Sequence, residues 1–333
     1  MNKKIRIGII GTFWLTDEFI KAIKMSEEVE YYAQYSRDPE KAVSYGKQHG
    51  ARVYYSDLED MANDSELDAV YIAVPNMLHY KYSKLFLSAK KHVICEKPIT
   101  VTVDEFDELS SIAKENNLIY MEAMMNIHVS WASIMKQELA DLGSVVVAKL
   151  DFNQRSSKLD RINRGEMFSS FDKECCGGAL MDLGIYCTSL ATYLFGMPNG
   201  VSATGHFSEN GADLADTVVL EYGNFECIFT ISKLCESVAR SEILCNDGAI
   251  TFKNVSQLQM CKLIKDSKEK IIHGTNSFPE SMIYEINNFV LYIKDRNNEN
   301  RLLYEKNTRY TRSSLQLLEK IRNDIGYQIE SEK

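Results

Sequence analysis

The sequence predicts an α/β protein in two parts, a doubly wound parallel sheet followed by a mostly antiparallel one. Up to residue 121, short β-branched strands alternate with helices of about 10 to 15 residues, as parallel sheets require. Beyond that point strands follow one another across short turns: Asp216–Tyr222 and Phe225–Ser232 flank Gly223-Asn224, and Glu242–Cys245 and Ala249–Phe252 flank Asn246-Asp247-Gly248. A chain of 333 residues exceeds what one core usually serves. We therefore expect two domains, 1–121 and 122–333.

Each element of the first part has its own signal. Asp38-Pro39 supplies a cap and a first-turn proline for a helix, and Thr102 and Glu105 have capping-box spacing. The predicted strands are Ile5–Ile10, Val29–Tyr35, Arg52–Tyr55, Ala69–Val74, His92–Cys95 and Leu118–Met121. The predicted helices begin near Thr16, Asp38, Asp57, Met77 and Thr102.

In the second part the pattern predicts fewer helices. They cover Asn126–Ala140, a glycine-led segment ending near Phe195, Pro279–Ile293 and Tyr310–Ile325. The last two are amphipathic, and we expect them to cover one face of the antiparallel sheet. The other face needs a cover as well, which predicts a homo-oligomer, a dimer or tetramer, through this sheet.

Composition excludes several classes of function. Hydrophobic content of 45% and charged content of 26% are ordinary for a globular protein, and no apolar run approaches the roughly 18 residues of a spanning helix. The eight cysteines are scattered without Cys-x-x-Cys spacing, so we expect neither a metal nor disulfides, and a cytoplasmic location. The net charge of −9 is spread along the chain, which argues against nucleic acid as a partner.

The first strand ends in a turn that suits a phosphate group. Strand, Gly11 and the following helix N-terminus would direct free backbone amides at an anion. The three positions of the dinucleotide glycine motif hold Gly11, Phe13 and Thr16, so the motif is incomplete, and Phe13 stands where bare backbone would approach a pyrophosphate.

The end of the second strand indicates which dinucleotide binds. Ser36-Arg37 stands where an acid would bind the ribose of NAD, and an arginine there accommodates the 2′-phosphate of NADP. We expect NADP(H) to be preferred, with NAD(H) possible. The alternative is that Arg37 is only an exposed residue at the helix start and that Asp38 binds the ribose.

Lys97 is the first candidate for chemistry. The buried run Val93–Ile99 passes through Glu96, Lys97 and Pro98, which follow a predicted central strand at the edge where open α/β sheets bind ligands. A lysine beside a proline is restricted in direction and shifts its pKa readily when buried. The alternative is a solvated Glu96–Lys97 charge pair.

Asp182 and Tyr186 are the candidates in the second part. They lie four residues apart in an apolar helical segment, so one helix face carries both. A buried aspartate is costly without a partner, which predicts that one exists. Tyr186 is the candidate general acid/base, for which Lys97 would favour the phenolate, and Asp182 would orient a hydroxyl. The alternative for Tyr186 is simple packing.

Four motifs together resemble the Gfo/Idh/MocA oxidoreductases: GIIGT, SRDPEKA, VPNMLHY and CEKPIT, in this order and spacing. The resemblance implies a Rossmann domain followed by a large, mostly antiparallel open sheet. It implies that Lys97 is the active-site lysine, with a cis bond to Pro98. It also places Asn76 and His79 near the cofactor, although His79 could instead only pack. The cofactor-binding residues implied in this way are Gly8, Gly11, Thr12, Phe13, Trp14, Ser36, Arg37, Val74, Pro75, Asn76, His79, Glu96 and Lys97.

The segment GGALMDLGIYCTSLATYLFG carries a second resemblance. The family has an acid here, followed four residues later by histidine or tyrosine. The tyrosine in this chain is more similar to the dimeric dihydrodiol dehydrogenase and glucose–fructose oxidoreductase branch than to the inositol dehydrogenases.

These residues predict an NAD(P)-dependent oxidoreductase acting on CH–OH groups. It would transfer a hydride between the nicotinamide and a carbinol or carbonyl carbon of a small polyol, sugar or dihydrodiol. One alternative is a non-catalytic NADP-binding sensor, which Phe13 favours and Lys97, Asp182 and Tyr186 oppose. Another is hydrolysis or elimination through a transient oxidation. A zinc alcohol dehydrogenase is excluded because no Cys/His cluster is present.

Overall fold

The chain forms two compact units in a computed structural model that describes residues 3–162 and 164–329. The first unit extends to Ala123 and also includes Ser277–Arg309, and the second comprises Met124–Asn276 and the chain from Tyr310 onward. The predicted boundary at 121/122 therefore lies two residues from the point where the chain first passes between units. The return of 277–309 to the first unit is a feature that the predicted domains lack.

The first unit is built on a parallel sheet of six strands in the order β3-β2-β1-β4-β5-β6. Its elements before Ala123 are β1 (Ile5–Ile10), α1 (Trp14–Lys24), β2 (Val29–Tyr35), α2 (Pro39–His49), β3 (Val53–Tyr55), α3 (Leu58–Ala62), β4 (Ala69–Ile72), α4 (His79–Ser88), β5 (His92–Glu96), α5 (Val103–Glu115) and β6 (Tyr120–Ala123). A 3-10 turn at Asn76–Leu78 precedes α4. The central strands are buried on both faces, as expected for a parallel sheet covered by helices.

The second unit contains an eight-stranded sheet in the order β14-β13-β12-β11-β7-β10-β9-β8. Its strands are β7 (Val145–Asn153), β8 (Gly200–Phe207), β9 (Asp213–Glu221), β10 (Glu226–Ser232), β11 (Ser241–Cys245), β12 (Gly248–Lys253), β13 (Gln259–Lys265) and β14 (Lys268–Ile271). Only β10 and β7 pair in parallel; the other neighbours are antiparallel. The predicted fold class is therefore confirmed.

The helices of the second unit that precede Asn276 have at most 11 residues. They are α6 (Met125–His128), α7 (Ser130–Ala140), α8 (Leu159–Ile162) and α9 (Ile185–Phe195). A 3-10 turn lies at Ser169–Phe171, and a π-helical turn at Leu180–Gly184 leads directly into α9. Asp182 stands in the π-helical turn and Tyr186 at the start of α9, so the two candidates share one continuous helical segment.

Helix α10 (Phe278–Lys294) belongs to the first unit, whereas its amphipathic pattern predicts a position on one face of the antiparallel sheet. It packs on α1 in the first unit, where Phe278 meets the Trp14 ring edge-on at 5.4 Å and Lys294 pairs with Glu28. The amphipathic pattern correctly predicted that one face of α10 is buried. It does not identify the element that buries this face. Helix α11 (Asn298–Asp324) starts twelve residues before the predicted Tyr310. Among the described helices, none is long and apolar enough to cross a membrane.

Candidate active site

The turn after β1 keeps bare backbone at Gly11. Its φ of +146° is a conformation that side chains rarely adopt, and a Cβ there would lie 2.4 Å from the carbonyl oxygen of Ala73. Thr16, at the third glycine position, is buried, and its Oγ1 has no hydrogen-bond partner in the described structure. The helix N-terminus beyond the turn is free to face an anion.

Phe13 does not close this turn. Its backbone is extended, with φ −137° and ψ 174°, and its side chain is 43% exposed at the N-cap position of α1. Trp14 beside it is 58% exposed. The glycine motif therefore tolerates phenylalanine because the ring projects to the surface instead of filling the turn.

Gly8, by contrast, lies inside β1. A Cβ at Gly8 would lie 2.2 Å from Cε of Met61 and 3.0 Å from Cδ1 of Leu67. The packing of α3 on the sheet therefore explains why position 8 has no side chain. Gly8 lies three residues before Gly11, which stands beyond the end of the strand.

The end of β2 separates the roles of Arg37 and Asp38. The Asp38 carboxylate accepts hydrogen bonds from the backbone amides of Glu40 at 3.0 Å and Lys41 at 3.2 Å, and so caps α2. Arg37 is exposed and forms no hydrogen bond or ion pair with the described residues. The acid is occupied and the guanidinium is available, which favours the interpretation in which Arg37 meets a phosphate.

His79 is fully buried beneath the turn that follows β5. Its Nδ1 lies 2.8 Å from the carbonyl oxygen of Pro98, and its Nε2 lies 2.9 Å from that of Val74. Burial, together with the smaller effect of the Lys97 charge, lowers the pKa of His79 to about 4. A neutral imidazole carries one N–H, so His79 donates to one of these two carbonyl oxygens while its ring packs between the turn after β4 and the turn that carries Lys97. The packing alternative describes its contacts well.

The Lys97–Pro98 peptide bond is cis, as the resemblance implied. Lys97 is half-buried directly after β5, at the carboxyl edge of the parallel sheet. Glu96 is buried, and it accepts a hydrogen bond at 2.5 Å from the hydroxyl of Tyr71 on β4. The Glu122 carboxylate accepts one from the amide of Ile99 at 3.0 Å. Glu96 and Lys97 are therefore not a simple solvated charge pair.

Asp182 has a partner, as its apolar surroundings predicted, and the partner is Lys233. Lys233 Nζ lies 2.9 Å from Asp182 Oδ2 and 2.6 Å from the backbone oxygen of Ser170. The lysine side chain is only 4% exposed, whereas that of Asp182 is 38% exposed. One face of the carboxylate is thus held by a buried cation while the rest stays accessible.

Tyr186 is 7% exposed, and its ring meets Phe152 of β7 edge-on at 5.7 Å. The buried side chain of Asn126 donates to the backbone carbonyl oxygen of Tyr186 at 2.9 Å. This bond ties α6 to the first turn of α9 and fixes where that turn lies. The assignment of Tyr186 to chemistry stays a prediction.

A pair of buried carboxyl groups holds the start of the helical segment. Asp213 Oδ2 accepts a hydrogen bond from the amide of Leu180 at 2.5 Å. Gly178 has φ +124°, and a Cβ there would lie 1.9 Å from Asp213 Oδ1. Asp216 is buried beside Asp213; burial first, and then the Asp213 charge, raise its pKa to about 9. Asp216 is therefore neutral at physiological pH and able to donate to Asp213.

Sequence reasoning missed Lys233, Asp213 and Asp216. The need for a partner near Asp182 was visible, and Lys233 follows a predicted strand that ends at Ser232. Nothing in the sequence joined two positions 51 residues apart. Among the described residues, no group of three or more His, Cys, Asp or Glu side chains could hold a metal ion.

The edge of the parallel sheet fits a dinucleotide. The order β3-β2-β1-β4-β5-β6 is that of dinucleotide-binding sheets, which bind their ligand beyond the carboxyl ends of the strands. Gly11 to Trp14, Ser36, Arg37 and Val74 to Asn76 all stand at those ends. Gly11 offers unobstructed backbone and Arg37 an unpaired guanidinium, which are the groups that a pyrophosphate and a 2′-phosphate need.

Comparison with known proteins gives the family. Residues 5–124 match the oxidoreductase family with an NAD-binding Rossmann fold, and residues 135–251 match the GFO/IDH/MocA C-terminal domain. The scyllo-inositol 2-dehydrogenase (NADP(+)) IolU of Bacillus subtilis is 36% identical over 325 residues, 97% of each chain. The trans-1,2-dihydrobenzene-1,2-diol dehydrogenase of Oryctolagus cuniculus is 31% identical over 246 residues, 71% of each.

The relatives include an inositol dehydrogenase and a dihydrodiol dehydrogenase, and the chain is also similar to a solved structure. An NAD-binding oxidoreductase from Klebsiella pneumoniae superposes with a TM-score of 0.81 at 20% identity, covering 97% of each chain, which shows the shared fold. Because an inositol dehydrogenase is among the relatives, the tyrosine at position 186 does not by itself exclude inositols. The chain belongs to the Gfo/Idh/MocA family of NAD(P)-dependent oxidoreductases.

Proposed function

We propose that this oxidoreductase is an NADP(H)-dependent dehydrogenase that interconverts the carbinol and carbonyl carbons of a small polyol, sugar or dihydrodiol. The observation that carries the proposal is Lys97, half-buried in a cis-proline turn at the carboxyl edge of the dinucleotide-binding sheet. The scyllo-inositol and dihydrodiol specificities in the names of the relatives support the substrate class.

In this proposal the chain positions the substrate and moves one proton. A bound nicotinamide would supply the hydride chemistry at the carbinol carbon. Tyr186 takes the hydroxyl proton in oxidation and returns it in reduction. Lys97 donates a hydrogen bond to the same substrate oxygen, and Asp182 accepts one from a neighbouring hydroxyl. Lys233 holds Asp182 in place through the 2.9 Å ion pair.

Replacing the tyrosine tests this assignment. We expect Tyr186→Phe to lower kcat for scyllo-inositol or a trans-dihydrodiol by about 10²-fold or more, while NADPH affinity stays unchanged, because only the proton transfer is lost. Tyr193→Phe, on the same helix and packed on Tyr310 at 5.0 Å, is the matched control. Full turnover by Tyr186→Phe would rule out the proton-transfer role, and nucleotide binding without turnover of any alcohol would support the sensor instead.

The cofactor preference rests on Arg37. A charge-assisted bond from Arg37 to the 2′-phosphate is worth about 1.5–3 kcal/mol, or roughly tenfold to a hundredfold in affinity. We expect Arg37→Ala to weaken NADPH binding by that factor and to leave NADH binding unchanged in a fluorescence titration. Arg52→Ala is the control, because Arg52 is also exposed but pairs with Glu30 at 2.7 Å. Equal affinities of the native protein for both nucleotides would contradict the preference.

Oligomerisation and location complete the proposal. The outer face of the eight-stranded sheet carries Leu244 opposite Val147 and Ile228 opposite Val219, all partly exposed. These four apolar side chains lie on neighbouring strands, beside the Lys149–Glu242 ion pair on the same face, and they support a homo-oligomer formed through the sheet. Light scattering of the native protein against Ile228→Lys tests it: the native protein should exceed one chain of 38.0 kDa, and the variant should dissociate. A cytoplasmic location is proposed from the scattered cysteines.

A further inference from the structure

Around Asp182 and Lys233 lies a group of side chains that the proposed mechanism does not use. Lys158 Nζ lies 3.3 Å from Ser170 Oγ and 5.3 Å from the centre of the Phe168 ring. Lys233 Nζ lies 4.4 Å from the centre of the Phe171 ring. We call Lys158, Ser170 and Lys233 the lysine cluster. All three belong to the unit that carries Asp182 and Tyr186.

The two lysines differ in how their charge is balanced. Lys233 is matched by Asp182 at 2.9 Å. Lys158 is half-buried and forms no ion pair with any described residue. Burial first, and then repulsion by Lys233, lower the pKa of Lys158. The Asp182 charge offsets part of this effect, but Asp182 is already paired with Lys233. A partly desolvated ammonium that shares its nearby acid with a second lysine is unfavourable, and a bound anion would remove that cost.

Two neighbouring arginines have their own acids. The Arg161 guanidinium lies 4.7 Å from the centre of the Phe168 ring and pairs with Glu166. Arg155 pairs with Asp160 at 2.7 Å. Glu166 and Asp160 are thus engaged by arginines, and Lys158 and Lys233 share the charge of Asp182, so that one positive charge of the two lysines is not balanced by it.

Ser170 adds a second donor. Because Lys158 has no acceptor function, Ser170 Oγ must accept in their 3.3 Å hydrogen bond, and its own proton remains free to rotate toward another acceptor. The Lys158 ammonium and the Ser170 hydroxyl are neighbouring donors, and Lys233 adds a second positive charge at Ser170. Such a group suits an oxygen that carries negative charge.

We infer that Lys158 and Ser170 bind an oxyanion on the substrate, so that the natural substrate is a hydroxylated acid or phosphate ester in place of a neutral polyol. This inference rests on the proposed dehydrogenase function, whose substrate it makes more specific. Carboxylate and phosphate share the chemistry that the cluster recognises. A neutral polyol would give Lys158 only a hydroxyl oxygen and leave its charge uncompensated.

The test compares three matched hexoses that differ at one carbon: D-glucose, D-glucuronate and D-glucose 6-phosphate. With saturating NADP⁺, kcat/KM is measured from absorbance at 340 nm and binding is measured by calorimetry. The proteins are the native chain, Lys158→Met, Lys158→Arg and Lys173→Met. Lys173 is the matched control, since it lies in the same connecting segment but packs beside Gly211.

We expect the native protein to favour one of the two anionic sugars over glucose by about tenfold or more, chiefly in KM. Lys158→Met should reduce that ratio toward one, Lys158→Arg should preserve most of it, and Lys173→Met should preserve all of it. Which anionic sugar is favoured distinguishes carboxylate from phosphate.

Three results would overturn the inference: glucose favoured over both anions, a ratio unchanged in Lys158→Met, or no binding of either anion. Oxidation of neutral polyols alone would remove the inference and leave the proposed function standing. Binding of an anionic sugar that depends on Lys158, without any hydride transfer, would instead remove the proposed function. Urea unfolding, measured for every variant, shows whether the unit that carries Lys158 is folded.

Discussion

For single residues at the site, the sequence predicted the kind of interaction better than it predicted the partner residue. The cost of placing Asp182 in an apolar segment predicted a partner, and Lys233 is a partner at 2.9 Å. The cis bond at Lys97–Pro98 followed from the resemblance and is confirmed. The identity of Lys233 could not be read from the sequence, because a side-chain pair across 51 residues depends on how β10 and the helical segment pack, which no local pattern encodes.

His79 illustrates a residue whose role lies in connecting two turns. Replacing it with leucine would keep much of its volume and leave the carbonyl oxygens of Val74 and Pro98 without the ring nitrogens. We expect His79→Leu to lower the free energy of unfolding by about 1–3 kcal/mol, the cost of buried polar groups without partners. Urea unfolding measures this.

The effect of His79→Leu on the free energy of unfolding should depend on pH. The lowered pKa of His79 means that the unfolded chain binds a proton that the folded chain refuses. Native stability therefore falls as pH drops through the range between about 6.5 and 4, and this contribution is absent in His79→Leu. The exposed His206 provides the control, since His206→Leu should leave both stability and its pH dependence nearly unchanged. A variant as stable as the native protein at pH 7 would contradict the connecting role.

At the scale of elements, strands and helices followed local signals, but their irregularities did not. The predicted strand from Asp216 begins at Asp213 instead, and its pairing with β8 shifts by one residue at Leu214. This bulge brings Asp213 and Asp216 to the same face, where a regular strand would separate them. Because a bulge depends on both strands, the sequence of β9 alone could not reveal the carboxyl pair.

The carboxyl pair predicts an unusual pH dependence. Asp216 ionises near 4 when unfolded and near 9 when folded, so between these values the folded chain holds one more proton. Its contribution to the free energy of unfolding then falls by about 1.4 kcal/mol per pH unit as pH rises. Asp216→Asn is always neutral and can still donate to Asp213. Relative to the native protein, we expect this variant to gain stability progressively from pH 5 to pH 8.

Urea unfolding at pH 5, 6, 7 and 8 provides the measurement, and the difference between the two proteins is the quantity of interest. Asp141→Asn, at an exposed helix end, should show a constant difference across this range. A constant difference for Asp216→Asn as well would mean that Asp216 is already ionised in the folded state.

For the whole molecule, the order of strands and helices predicted both sheets. The sequence did not predict where the chain passes from one unit to the other. Met282, Ile286 and Phe289 of α10 are buried, as their amphipathic spacing indicates. The spacing does not identify the residues that bury them. Proximity in sequence suggested the antiparallel sheet. The structure instead assigns 277–309 to the unit that starts the chain, about 150 residues after leaving it at Ala123.

This division predicts which parts of the chain a nucleotide stabilises. NADPH at a hundred times its Kd should stabilise the unit that binds it by roughly 2.7 kcal/mol, and exchange through unfolding of that unit should slow by about a hundredfold. Helix α10 belongs to that unit, so its amides should slow together with those of β1 and β4, despite their separation in sequence. Amides of β10, in the other unit, serve as the internal control. Hydrogen exchange followed by mass spectrometry measures all of these segments in one experiment. If α10 kept its exchange rate with β10 while β1 slowed, α10 would unfold with the second unit, and residues 277–309 would belong with the predicted domain 122–333 after all.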